Sequence, residues 1–519
     1  MNKMNKIFWM AWYDLKGQLR ERGTVLILGS VVVLACFGLL QGARHTAAMA
    51  TAATAATAQQ ERALTKAKAY SEGFFADPNK PEHVAARSYK NPADIRGYAF
   101  REYLGFAVKP ALPGAALAIG QSDVLPAYVR VKVESMDSAR THYEIEHPAR
   151  LASGRFDLSF VVLYLWPLAL LTLCLSALTH DRETLRTKTL AIEGVRPFSL
   201  LITQVLARTL SATVLFVLLT MIVALGSGAL PSSMAGLAAA AMWGIITMAY
   251  SAFWAGVCVA IGALCQSRAT AAFAAFGAWL VIAVMLPNLT SAAANLLAPM
   301  PSREAYIVAS RDAADALNAD RLNMVIRFYD QHPEWKPDKT ALDKISPTVT
   351  RLARAVEMEK SLAKVDAIFN DAKNKQRVLL DTLSLFSPLN LAQESLTSLA
   401  GNDLSRHDRF MVAVQQHQVA LRDLFQPLLQ VAAKKNEATP CAHASGTCME
   451  GFGFTAHDCV SLFRAPSNLN APDAPAGTSA FMLGWAALLV AAAAIRLRSA
   501  AAGGGSVSGA SNAPIGQTA

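Results

Sequence analysis

LSFVVLYLWPLALLTLCLSAL, residues Leu158 to Leu178, is followed at once by the charged stretch His180 to Lys188. A helix rises about 1.5 Å per residue, so about 20 apolar residues cross a hydrocarbon core of roughly 30 Å. The stretch reads as a membrane span. Composition agrees, with 53% of residues hydrophobic, only 17% charged and a net charge of +10. That balance sets aside a soluble enzyme.

Hydropathy marks five further spans around this one: Thr24 to Gln41 before it, then about Thr209 to Gly226, Leu237 to Leu264, Ala271 to Leu289, and Phe481 to Leu497. Six crossings put both termini on one side. Lys3, Lys6, Lys16, Arg20 and Arg22 precede the first span, Arg182, Arg186, Lys188 and Arg196 lie between the second and third, and Arg268 lies between the fourth and fifth. By the positive-inside rule these face the cytoplasm, and the short uncharged loop Gly228 to Gly236 faces out. The aromatic cluster Phe8, Trp9, Trp12 and Tyr13 suits a membrane interface, which argues for a retained first helix rather than a cleaved signal peptide.

The expected fold is thus an all-α polytopic membrane protein with six transmembrane helices, a small mixed α/β outer module and a helical outer insertion. Its expected parts are a cytoplasmic N-terminus and first span (1–42), a first extracytoplasmic segment (43–157), spans two to five with a cytoplasmic loop at 179–208 (158–289), a large outer domain (290–479), the last span (480–498) and a disordered tail (499–519). The Ala/Thr tract His45 to Ala58 extends the first helix outward. Tyr128 to Val133 alternates as a strand, with His142 to Glu146 as its expected partner. Val349 to Leu385 has amphipathic helical spacing and forms half of an expected helical hairpin. Ser387-Pro388 starts another helix, Gly401 stops it, and Asp403 to Val431 forms the next.

Cys36, Cys174, Cys258 and Cys265 fall in or beside spans, where they are read as packing. Cys441, Cys448 and Cys459 lie in the outer segment. Cys441 and Cys448 flank a tight loop and are expected to form a disulfide, while a metal site using Cys441, His443, Cys448, His457 and Cys459 is the alternative. The chain contains no Walker loop, H-E-x-x-H helix or G-x-S-x-G elbow. It is therefore not expected to be an enzyme, and no cofactor is expected in it. Pro167 and Pro287 are candidates for kinks in their spans, with neighbours satisfying the freed carbonyls.

The cytoplasmic stretch after the second span is the distinctive one. Asp181, Arg182 and Glu183 leave the membrane, Leu185, Leu190 and Ile192 offer apolar contacts, and Pro197 ends the segment. Such an element can dock in a partner's groove. The alternative reading is a solvated loop that only sets topology.

Gly154, Phe156, Asp157, then Trp166-Pro167-Leu168, Asp181-Arg182-Glu183, Thr189-Leu190 and Arg196-Pro197 together resemble the second span and coupling region of ABC-2-type transporter permeases. Two outer stretches resemble the subgroup with a large insertion between its last two helices: Gly120-Gln121-Ser122-Asp123 with Leu125-Pro126, and Ser387-Pro388-Leu389-Asn390 through Gln393-Glu394, Leu399-Ala400-Gly401, Arg406-His407 and Phe410. Lys188 stands where that family has glycine.

The resemblance implies an exporter permease in a bacterial inner membrane, paired with a second copy or a related permease. It also implies a separate ATP-binding subunit, holding ATP and magnesium, that docks on Asp181 to Pro197. Membrane lipid and an extracytoplasmic partner are expected contacts, and nucleic acid is not. The alternative reading is a membrane-anchored receptor or assembly scaffold, or a metal-site maturation factor, acting through the outer domain.

Overall fold

The computed structural model describes residues 16–17, 20–77, 80, 91, 93–134, 155–183, 197–265, 267–336, 346–434, 462–472 and 476–503. Helices dominate them. α1 runs Arg22–Ala76 without a break, which at about 1.5 Å per residue makes it about 80 Å long. Its first part is apolar and the Ala/Thr tract carries it on as one rod, as the helix formers there require. α2 comprises Leu158–Phe160 and Trp166–Glu183 joined by a π-helical turn, Val161–Leu165. α3 is Pro197–Gly226 and α4 is Met234–Leu264. α5 comprises Arg268–Trp279 and Leu286–Leu297, again joined by a π turn, Leu280–Met285.

Beyond them, α6 (Arg303–Ala319) and α7 (Arg321–Gln331) run up, and α8 (Pro347–Ser384) returns antiparallel. Tyr306 packs on Phe369, and Arg354 bonds Asn318. This is the hairpin the periodicity predicts. α9 (Pro388–Ala400) is capped by Ser387, whose side chain accepts from the Asn390 amide. α10 (Leu404–Ala433) is capped by Asp403, and α11 (Ala476–Gly503) closes the chain's described part.

Among the described residues five helices are long and apolar enough to span a membrane, within Arg22–Phe74, Phe198–Gly226, Met234–Leu264, Arg268–Leu297 and Gly477–Arg496. Leu158–Cys174 of α2 is a shorter apolar stretch. The chain is a helical, membrane-embedded protein.

The described residues between α1 and α2 hold a two-stranded sheet. The strand β2, Tyr128–Val131, pairs antiparallel with β1, Gly105–Val108, in the register Gly105 opposite Val131. β1 is not among the elements the sequence predicts, because a four-residue strand among glycines and prolines carries too little alternation to register. His142 to Glu146 lies outside the described residues.

Two buried clusters organise the molecule. The first joins α1 through α5, α9 and α11 around Trp166, Trp243, Tyr250 and Trp254. The second joins the outer module to α7, α8 and α10 around Phe328, Trp335, Phe410 and Phe425. The small residues of α4 serve packing inside the chain. A Cβ on Gly256 would stand 3.0 Å from the carbonyl oxygen of Ala486 in α11, and one on Gly244 would stand 3.1 Å from Val217 in α3.

Candidate functional site

The prolines of the spans sit just past the π turns. Pro167 has no N–H to offer and crowds the carbonyl four residues back, which is that of Leu163. The extra residue of the π turn gives that carbonyl room, and a neighbouring helix satisfies it: Tyr250 of α4 donates its hydroxyl to Leu163 O at 3.0 Å. Trp279 of α5 donates its indole N–H to Tyr164 O at 3.0 Å. Trp166 donates to Ser251 Oγ at 2.9 Å and stacks on Phe216 at 4.3 Å. The Trp166-Pro167 pair is thus braced by α3, α4 and α5 at once.

Above this, the two outer stretches that carry the family resemblance meet. Gly401 ends α9 in the left-handed region, φ +70°, as a helix-terminating glycine does. That turn presents Asn402, whose Nδ2 donates to Ala115 O and Ala118 O at 3.1 and 2.6 Å. The Asn402 carbonyl accepts from the Gln121 amide at 3.0 Å.

Gly120 also has positive φ, and a Cβ there would sit 2.9 Å from Thr397 Cγ2. Arg406 is 2% exposed. Its guanidinium donates to Gly401 O (2.8 Å), Leu469 O (2.7 Å) and Pro110 O, tying three chain segments. In these bonds the buried guanidinium is met by oriented carbonyl dipoles.

The same loop is fastened to the spans. Asp157, the cap of α2, accepts from the Phe160 amide at 2.7 Å, from Ser159 Oγ at 2.7 Å and from the Ile119 amide at 2.8 Å. α1 approaches at two glycines one turn apart. A Cβ on Gly38 would lie 2.6 Å from the Asp157 carbonyl carbon, and one on Gly42 would lie 2.0 Å from Ala116 O. α9 itself is almost wholly buried and packs on α4 and α11. The result is a continuous connection from α1 and α2, through the 110–121 loop, into the α9–α10 corner.

His407 follows Arg406. Burial, with the nearby Lys109 ammonium adding to it, pulls its pKa down to about 4, and its Nδ1 has no hydrogen-bond partner among the described residues. A neutral imidazole results at ordinary pH.

At the opposite end of α2, Asp181, Arg182 and Glu183 form its last residues, and α3 starts at Pro197. Leu185, Leu190 and Ile192 lie outside the described residues, as do Cys441, His443, Cys448, His457 and Cys459, so neither the disulfide nor its metal alternative is described. Arg208, eleven residues into α3, donates to the Leu173 carbonyl of α2 at 3.0 Å and ties together the helices that flank the loop. The four membrane-side cysteines are free thiols, with Cys174 and Cys258 buried.

Sequence reasoning passed over the roles of Tyr250, Asn402 and Arg406. Arg is rarely buried, so beyond the resemblance that includes Arg406-His407 no composition or spacing marks Arg406 as a buried tie. The pairing of Asn402 with a preceding Gly401 at a helix end was the available sign.

The comparisons add one match: residues 303–439 fit the model of a domain of unknown function, DUF3526. That stretch holds α6 through α10. Comparison with curated proteins and with solved structures finds no match.

Proposed function

We propose that this chain is the membrane-spanning permease subunit of an ABC-2-type transporter, working as an exporter in a bacterial inner membrane. It has six crossings, α2 being the shorter second one, and both termini are cytoplasmic. A separate ATP-binding subunit, which holds ATP and magnesium, docks on the end of α2 and the connection to α3, Asp181 to Pro197, and a second permease completes the pair.

The observation that supports this best is the meeting of the two outer stretches. Gly120–Asp123 and Leu399–Arg406, far apart in sequence and both similar to that permease subgroup, form one connected structure seated on α2 at Asp157. From Asp157 to Asp181 is 24 residues of α2 (181 − 157), about 36 Å at about 1.5 Å each. A displacement of the loop end is delivered by this helix to the outer corner. The bracing of Pro167 by Tyr250 and Trp279 keeps the π turn from absorbing it.

The reading is tested with a photo-crosslinking amino acid at Leu190 and, as the control, at Val419, which is 45% exposed on α10. Crosslinking of Leu190 alone to an ATP-binding subunit supports it. Crosslinking of neither, or of Val419 alone, contradicts it.

A further inference from the structure

Between α1 just past its apolar stretch, the β1–β2 hairpin and the α9–α10 corner lies a cavity of about 240 Å³. Its walls are chiefly apolar, with Met49 and Ala53 of α1 facing Val108 and Leu125. Among the described residues its ionisable lining is one-sided: His45, Lys109 and Arg406 contribute, and no carboxylate does. Two of the three are committed. Arg406 holds its three carbonyls, and His45 bonds Ser122 Oγ and Arg155 at 3.1 Å each.

Lys109 differs, since its backbone amide bonds Ala127 O but its ammonium has neither a hydrogen bond nor an ion pair among the described residues. Asp403 is the nearest acidic influence. Its carboxylate already accepts from the Arg406 amide and Ser405 Oγ as the cap of α10. A cation in an apolar wall without a counter-charge is costly. Burial, with Arg406 adding to it, brings the Lys109 amine down to about 8 although Asp403 pulls the other way.

We propose that this cavity binds an amphiphilic anion, a short acyl chain bearing a carboxylate or phosphate, with the chain along Met49 and Ala53 and the anionic group on the Lys109 ammonium. The headgroup of a membrane lipid and a free amphiphile share this chemistry. The site belongs to the outer module, and its occupation does not depend on an ATP-binding partner.

The test uses the full chain in maltoside micelles. Acetylation of Lys109 by an amine-reactive ester is followed by peptide mass spectrometry, with the exposed Lys375 as internal reference. Sodium octanoate and octyl phosphate are expected to slow labelling of Lys109 relative to Lys375 by about tenfold at ten times their Kd, the factor that occupancy alone sets. Neutral octanol is expected to leave it unchanged.

Octanoate is also expected to raise the pH midpoint of labelling above about 8, because an anion favours the ammonium. The other charged or titratable groups around Lys109, namely Arg406, Asp403, His407 and His45, stay constant in that comparison. Ala50→Phe, placed on an exposed position of α1 that lines the cavity, keeps Lys109 and is expected to abolish protection by octanoate.

Protection in phosphatidylglycerol nanodiscs but not phosphatidylcholine ones assigns the ligand to the membrane, and protection only by added octanoate or octyl phosphate assigns it to free amphiphiles. Equal protection by octanol, or protection by none of these probes, overturns the proposal.

Discussion

The Tyr250 hydroxyl donates to the Leu163 carbonyl, 3.0 Å away and four residues before Pro167. The acceptor is the group that proline deprives of a partner, so α4 supplies from outside what α2 cannot supply from within. Tyr250→Phe removes the donor and leaves a buried carbonyl unpaired, at an expected loss of about 1 kcal/mol, typical of bonds inside membrane proteins. Pro167→Ala restores an N–H to α2. In that background Tyr250→Phe is expected to cost less, and denaturation in mixed micelles measures the coupling of the pair.

Arg406 reaches the carbonyls of Pro110, Gly401 and Leu469 together. Arg406→Ala leaves the buried Gly401 and Leu469 carbonyls and the half-buried Pro110 carbonyl without this donor and is expected to cost about 3 kcal/mol. Arg406→Lys keeps the charge without the planar fork and is expected to recover only part of it. Limited proteolysis at 462–472 measures both, with faster cleavage than in the parent chain as the expected result.

Gly42 and Gly29 lie on the same helix in different surroundings. A Cβ at Gly42 would meet the Ala116 oxygen at 2.0 Å, a backbone atom fixed by its loop, whereas a Cβ at Gly29 has nothing within 4 Å. Gly42→Ala is therefore expected to lower the thermal midpoint. Gly29→Ala is expected to be neutral or to stabilise by a few tenths of a kcal/mol up to about 1, through helix propensity. Equal effects from the two would remove the close contact of α1 with the outer loop from the account.

His407 sets a pH dependence. Its pKa is lowered to about 4 in the fold against about 6.5 in an unfolded chain, so the unfolded state binds more protons between these values. The contribution of the neutral imidazole is fully present above about 6.5 and is lost as pH falls through that window toward 4. His407→Phe is expected to flatten the fall in thermal midpoint between pH 6.5 and 4.5. An unchanged slope would show that other groups carry it.

Much of the architecture was legible because the relevant forces are local. Apolar runs of bilayer length gave the five long apolar helices, while Leu158–Cys174 is shorter; Ser387-Pro388 and Gly401 gave the bounds of α9, and the Val349–Leu385 spacing gave α8. The β1 strand was not legible, since four residues among breakers have no period to read. The outer connection was legible only through resemblance. Asn402 and Arg406 work on backbone carbonyls of Pro110, Ala115, Ala118 and Leu469, and a carbonyl leaves no trace in the identity of its residue. The π turns were half legible: Pro167 and Pro287 announced a disturbed helix, but not which hydroxyl or indole on another helix would repair it.

The central claim is tested most directly by affinity purification of the tagged chain in mild detergent, with mass spectrometry of the proteins that accompany it, beside a variant carrying Asp181→Ala, Glu183→Ala and Leu190→Ala together. The account predicts an ATP-binding subunit recovered with the parent chain and depleted from the variant. Absence of any such subunit from both would contradict it.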